Sequence, residues 1–339
     1  MLGALPPAFA GLEPDDAQLA ASLLQPLALD AGETIVETGE EDYTLAFVTT
    51  GSVQLVLDGA RVGAASVGDM LGEVELFAQT PRVCSAVAST PVQLLALAYE
   101  TWLELCEADN SAIAHNIERA AHRRLGERLR WLNVAIADRT QGTPFELHPR
   151  GKGLLGRLSG LLGGDKPPAV EPAAVLTSSA LFNWAPPEIL QEIAQFFEVE
   201  RFEPETVLCR QGEVGDKVYV IASGKVDVLV FIGKDSAETI STLGPGEAFG
   251  DAALSQQAPR TASCVTHEEV VALTMGREAY GELFGLNDVN GSVFRQAMLR
   301  NLIGQLLPTQ AHYAVLARAE ADKDEENFRG TPINSVWRD

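Results

Sequence analysis

No apolar run in these 339 residues approaches the roughly 20 that a membrane-spanning helix needs. The opening MLGALPPAFAGLEPDD has neither the basic start nor the apolar stretch of a secretory signal, so the expected compartment is the cytoplasm. Cysteine is scarce. Cys84, Cys106, Cys209 and Cys264 show no CxxC spacing, which argues against a disulfide framework or zinc ribbon and predicts buried, reduced thiols. The five histidines, His115, His122, His148, His267 and His312, are scattered, and no nucleophile motif accompanies them. Neither a metal site nor catalysis is expected from such a distribution. Basic residues are also few, 25 against 47 acidic ones for a formal charge of -22, which argues against a nucleic-acid binder.

What charge there is falls unevenly. Residues 1–110 hold 17 Asp/Glu and only two basic residues, Arg61 and Arg82, whereas residues 111–167 hold five acids and ten basic residues. An acidic module, a basic connector and a moderately acidic module follow one another. With a hydrophobic fraction of 46%, the length suffices for two domains with cores of their own.

In chain order, Ala8 to Gln25 has apolar residues at roughly helical spacing. From Thr34 short alternating runs are punctuated by Gly39, Gly51, Gly59, Gly63 and Gly68, a pattern of brief strands in a sandwich or small barrel. Ala112 to Ala137 reads as a long helix whose apolar residues pack on its own domain or on a partner helix, with its arginines on a solvated face. Residues 138–178 are rich in Gly and Pro and read as a linker. Its GLLGRLSGLLGG piece is too short and glycine-rich for a membrane role to be expected.

The second half then repeats the first. Gly39 and Gly212, and Gly51 and Gly224, are each 173 residues apart; Gly72 and Gly250, Leu76 and Leu254, Arg82 and Arg260, and Ser85 and Ser263 are each 178 apart. The five extra residues fall where a hairpin between two strands can lengthen without disturbing the core.

The stretch FGDAALSQQAPRTASCV, residues 249–265, carries the chemistry. Gly250 and Ala253 permit close backbone approach, Asp251 supplies a carboxylate, and Arg260 follows it nine positions later. Free N–H groups of a tight turn with a guanidinium make a site for a small anion.

These strings resemble the cyclic-nucleotide-binding domain, the β roll of kinase regulatory subunits and catabolite activator proteins. In the second half they are RQGEVGDKVYVIASGKVDV, FGDAAL and PRTAS; in the first, ETGEEDYTLAFVTTGSVQL, LGEVEL and PRVCS. The resemblance implies an α+β chain of two tandem β jelly rolls with flanking helices. It divides the chain into a first domain at 1–137, a basic linker at 138–178, a second domain at 179–310 and a helical to disordered acidic tail at 311–339.

The resemblance also implies a ligand, cyclic AMP or cyclic GMP, and no other cofactor. The family's acid accepts from the ribose hydroxyl, the backbone around it holds the cyclic phosphate and the arginine pairs with its charge. Here those places are Asp251, Gly250 with Ala253, and Arg260, with Thr261 and Ala262 beside the arginine. Asp251 stands one methylene short of the family's usual Glu. In the first repeat Gly72, Glu73, Arg82 and Ser85 keep the pattern, but Glu75 replaces the small residue and brings a carboxylate to the phosphate's place. The first repeat is therefore expected to be a degenerate copy. Trp131 and Tyr313 are the candidate aromatic caps for a base.

About 30 residues follow Pro308, and ADKDEEN among them is acidic, so a DNA-binding module is not expected. The expected role is that of a cytoplasmic regulatory protein. It binds a cyclic nucleotide chiefly in the second repeat and relays a conformational change to a separate protein effector. The alternative is a ligand-independent scaffold, with the long helices offering a surface for self-association.

Overall fold

The computed structural model describes residues 5–108, 111–139, 143–144, 170–232, 236–255 and 258–330. Most of the Gly/Pro-rich linker lies outside them, including the GLLGRLSGLLGG piece, as do residues 331–339.

The expected helix at Ala8–Gln25 is broken. A 3₁₀ turn at Pro7–Phe9 is followed by helix α1 (Pro14–Leu23), and a strand already begins at Gln25. Gly11 at φ 84° turns the chain between the two helical pieces, and Pro14 pre-sets the first turn of α1.

The first roll is built from β1 (Gln25–Leu29), β2 (Thr34–Val36), β3 (Leu45–Thr50), β4 (Ser52–Leu57), β5 (Ala60–Ser66) and β6 (Met70–Leu71), then helix α2 (Glu73–Ala78), then β7 (Ser85–Ala88) and β8 (Val92–Leu97). Two four-stranded antiparallel sheets face each other in the orders β1-β8-β3-β6 and β2-β7-β4-β5. Asp58 at φ 49° and Gly59 at φ 80° make the tight two-residue turn between β4 and β5. Helices α3 (Tyr99–Glu107) and α4 (Ala112–Ala137) follow, the latter capped by Ser111, whose side chain accepts from the Ala114 N–H.

After β9 (Thr143–Pro144) and the helices Pro172–Ser178 and Pro187–Ala194, the second roll uses β10 (Glu198–Phe202), β11 (Val207–Cys209), β12 (Lys217–Ser223), β13 (Val226–Ile232), β14 (Ser236–Leu243) and β15 (Ala248–Phe249). The short helix Asp251–Ser255, β16 (Ser263–Thr266) and β17 (Val270–Gly276) complete it. Its sheets run β10-β17-β12-β15 and β11-β16-β13-β14, with β9 at the edge of the second. Each first-roll strand reappears nine strands later in the same place. The duplication extends to single bonds: the Thr38 N–H donates to Ser85 Oγ at 3.0 Å, and the Gln211 N–H to Ser263 Oγ at 2.9 Å.

The final helices are Arg277–Gly285 and the terminal helix Val289–Gly330, which passes through Pro308 and runs on without a break at 310. It packs along α4. Leu299, Leu302, Ile303, Leu306, Tyr313 and Ala314 enter the same apolar core as Ile117, Leu125, Leu132 and Ile136 of α4 and the first roll. Burying a Leu or Ile side chain contributes about 1.5–3 kcal/mol, so this seam is a substantial part of what joins the halves.

The arginines of α4 form the expected solvated face only in part, at the exposed Arg119 and Arg123. Arg128 is buried, and Arg124 pairs with Asp69 at 3.3 Å. The reason is that α4 is covered on two sides, by its own roll and by the terminal helix. Buried charges there are matched across the seam: Glu118 of α4 accepts from Arg295 Nε at 2.7 Å, from Ser292 Oγ at 2.9 Å and from Gln296 Nε2 at 2.9 Å. Burial nonetheless pushes the Glu118 carboxyl above its ordinary pKa, against the opposing pull of Arg295 and the other donors.

Candidate functional site

In the second repeat, β15 ends at a glycine that only glycine can fill. Gly250 has φ 95°, and a Cβ there would meet the Lys217 carbonyl oxygen at 2.7 Å as well as the Arg260 guanidinium. Arg260, 5% exposed, lies across this turn, with Nη1 donating to the Gly250 carbonyl at 2.7 Å and Nη2 to the Lys217 carbonyl at 2.6 Å. Its ion-pair partner among the described residues is Asp216, at 3.5 Å and with a side chain 78% exposed. A buried guanidinium is thus held by neutral carbonyls and one solvated carboxylate. Such a charge gains strongly from a second anion.

The first repeat solves the same problem internally. Arg82 donates through Nη2 to Asp42 Oδ2 at 2.5 Å and to the Thr44 carbonyl at 2.8 Å, and through Nη1 to Glu75 Oε2 at 3.3 Å. The other Glu75 oxygen accepts from the Val83 N–H at 3.0 Å. Burial alone pushes the Asp42 carboxyl up, but the hydrogen bonds from Arg82 and Thr44 and the Arg82 charge hold it below the ordinary aspartate value. The buried Glu75 carboxylate therefore serves as a built-in anion.

Two carboxylates of the first cradle correspond to two small residues of the second. Glu75 corresponds to Ala253, as the sequence spacing states, and Asp42 to Gly215, 173 positions on. A Cβ at Gly215 would meet Ala253 Cβ at 2.6 Å and Arg260 Cζ at 3.2 Å. Sequence reasoning missed Asp42 and Gly215, although the subtraction that paired Gly39 with Gly212 would have found them.

The acids of the two motifs point away from their arginines. Glu73 is buried and accepts from Arg128 Nη1 at 2.8 Å, while Arg128 Nη2 donates to Gln310 of the terminal helix at 2.9 Å. Asp251, 1% exposed, has His122 Nε2 of α4 at 3.2 Å from Oδ2 and Asn301 Nδ2 of the terminal helix at 3.4 Å from Oδ1. Asp251 and Arg260 form no pair among the described residues. His122 and Asn301 left no signal in the sequence, because neither belongs to a motif and both reach the site from helices of other segments.

Beside Arg260 lies a cavity of about 160 Å³. Gly250, Asp251, Ala253, Arg260, Thr261 and Ala262 line it, so the structure brings together all six second-repeat candidates. Leu129 and Asn133 of α4 and Gly304, Gln305 and Pro308 of the terminal helix form the opposite wall. Asn133 Nδ2 donates to Thr261 Oγ1 at 3.4 Å, and Asn133 Oδ1 is buried without a partner. The arrangement fits an anionic ligand with a polar edge. An under-neutralised arginine, a glycine turn that a Cβ would fill and an orphaned acceptor converge on one cavity, though its volume is below the roughly 300 Å³ at which small-molecule pockets usually begin.

The remaining candidates fall elsewhere. Ser85 accepts from the Thr38 N–H and Gly72, at φ 92°, turns the chain beneath Arg82. Trp131 and Tyr313 pack edge to face at 5.1 Å and line a separate cavity with Arg61, Arg124 and Arg128 beside the first roll. The structure does not bring them to the second cavity. No cluster of potential metal ligands and no helix long and apolar enough to cross a membrane occurs among the described residues.

The sequence profile of the cyclic nucleotide-binding domain matches residues 26–109 and 199–287. Among curated proteins, the chain is 23% identical over 277 residues to a cAMP-dependent protein kinase regulatory subunit of Yarrowia lipolytica, covering 82% of this chain and 58% of that protein. It is 25% identical over 257 residues to the cGMP-dependent protein kinase egl-4 of Caenorhabditis elegans, covering 75% of this chain and 26% of that one. The chain thus spans less than two thirds of the length of these relatives. A solved structure of the regulatory domain of Toxoplasma gondii PKA with cAMP aligns over 94% of this chain and 92% of its own, at 17% identity and a TM-score of 0.32.

Proposed function

Because the chain belongs to the cyclic nucleotide-binding domain family, we propose that its second repeat binds cyclic AMP or cyclic GMP and that its first repeat does not. Arg260 pairs with the cyclic phosphate at the Gly250 turn. The sugar and base extend along the cavity toward Thr261, Asn133 and Gln305. The observation that carries this reading is the contrast between Arg82, neutralised by Asp42 and Glu75, and Arg260, which has Gly215 and Ala253 in those places.

The relay follows from what roofs the cavity. Both α4 and the terminal helix contribute to its wall, so a ligand that shifts either helix alters the seam between the repeats. A separate protein reads that change. The relatives with kinase regulatory names make a protein kinase catalytic subunit the first partner to test.

A second reading, a ligand-independent scaffold, is favoured by one observation. Asp251 is already committed to His122 and Asn301 rather than free to accept from a ribose. Titration calorimetry with cyclic AMP, cyclic GMP and linear AMP, on the wild type and Arg260→Ala, separates the readings. Saturable binding of a cyclic nucleotide that Arg260→Ala weakens supports the first; no heat at millimolar nucleotide leaves the scaffold.

A further inference from the structure

Cys209 closes β11 and Cys264 lies in β16, and after a bulge between Val207 and Cys209 the strand register pairs the two across the strands. Residues so opposed in an antiparallel pair have Cα atoms about 4.5–5.5 Å apart, inside the roughly 4.4–6.8 Å that a disulfide spans. Both are free thiols, both are buried, and both line the cavity that holds Arg260. The corresponding register pair of the first roll is Val36 and Ala86. The scaffold packs without sulfur at this place, so the two thiols are a property of the second repeat alone.

The pair is also chemically unequal. The hydrogen bond from Cys264 acts most strongly on the Cys209 thiol and, with the Arg260 charge, holds its pKa below the ordinary cysteine value against the effect of burial. Donating that bond, together with burial, raises Cys264 well above it. By contrast, burial pushes Cys84 up to about 11.

We propose that Cys209 and Cys264 are an oxidation site for a small hydroperoxide, forming a cross-strand disulfide on the wall of the Arg260 cavity and thereby governing that cavity's access to an anion. Hydrogen peroxide is small enough to enter, since a single water needs only about 10–15 Å³. The Cys209 thiolate attacks one peroxide oxygen, the O–O bond breaks and hydroxide departs beside the Arg260 charge to be protonated to water. Cys209 is then a sulfenic acid. The Cys264 sulfur, giving up its proton, attacks the Cys209 sulfur; the S–O bond breaks and a second water leaves. Two thiols and one hydrogen peroxide yield one disulfide and two waters.

The test uses the full chain. Protein is treated with hydrogen peroxide, alkylated, digested without reduction and mapped by mass spectrometry. The expected product joins the Cys209 and Cys264 peptides, with loss of the two thiol hydrogens and reversal by dithiothreitol. In Cys264→Ser, dimedone should trap Cys209 as its sulfenic acid. The variant Cys209→Val with Cys264→Ala, which restores the pair found in the first roll, should fold and form no such product. Recovery of both cysteines as separate alkylated peptides, or a Cys209 sulfenic acid that persists in the wild type, overturns the proposal. A parallel arm adds inorganic phosphate as the anion probe. Slower oxidation with phosphate is expected, and an unchanged rate removes the access part. None of these readouts requires cyclic nucleotide to bind, so the outcome is separable from that of the calorimetry.

Discussion

Arg82 and Asp42 meet at 2.5 Å in the first cradle, and the position 173 residues beyond Asp42 is a glycine pressed against Arg260. The two repeats share a scaffold and an arginine but differ in who neutralises it. One supplies two carboxylates of its own; the other has small residues in their places and one exposed carboxylate, Asp216, at 3.5 Å.

Removing those carboxylates should convert one repeat toward the other. In Asp42→Gly with Glu75→Ala, calorimetry should find a second equivalent of cyclic nucleotide, whereas either single change leaves a carboxylate on Arg82 and should not. Stability without nucleotide should fall by roughly 3–5 kcal/mol, because a buried charge loses its partners. An unchanged stoichiometry in a folded double variant would show that the two carboxylates are not what bars the first site.

Arg260 should matter more for binding than for folding. A hydrogen bond to a charged group contributes about 1.5–3 kcal/mol, so Arg260→Ala should weaken a cyclic nucleotide by roughly 10- to 150-fold. Thermal shift with and without ligand reads this directly. Equal shifts in both proteins would move the site elsewhere.

His122 restrains Asp251 from across the seam. His122→Ala leaves a buried carboxylate short of a partner, so stability should fall by about 1–3 kcal/mol. The freed Asp251 can then turn into the cavity, and affinity for a cyclic nucleotide should rise. Loss of affinity in a folded variant would mean that the contact instead supports the site.

His115 gives the protein an acid-sensitive seam. Burial, with the charges of Arg295 and Arg119, lowers its pKa to about 4 from an ordinary value near 6.5. The unfolded chain therefore binds the proton first, and this contribution to stability is complete above pH 6.5 and declines as pH falls toward 4. Glu118, whose carboxyl is raised by burial, acts in the opposite sense over its own titration. Urea midpoints at pH 7 and pH 5 should therefore fall more in the wild type than in His115→Asn.

Much of the fold was legible in the chain because its cause is local. Glycines at fixed intervals mark the turns, with Gly72 and Gly250 at positive φ, and alternating apolar runs mark the strands between them. The repeat then carried Arg82 and Arg260 to equivalent places, where each donates to the equivalent carbonyl, Thr44 and Lys217. The Ala8–Gln25 stretch misled because helical spacing of apolar residues says nothing of a turn at Gly11.

The sequence by itself determined the duplicated rolls, the two arginine cradles and the carboxylate of Glu75 in the first, since these depend on spacing within each repeat. Only the tertiary structure decided how the repeats meet. Asp251 is held by His122 and Asn301, Glu73 by Arg128, Asn133 reaches Thr261, and Cys209 faces Cys264. All of these contacts join residues far apart in the chain, several through the seam of two long helices. The burial of that seam, not any local pattern, sets which polar groups come within reach of one another.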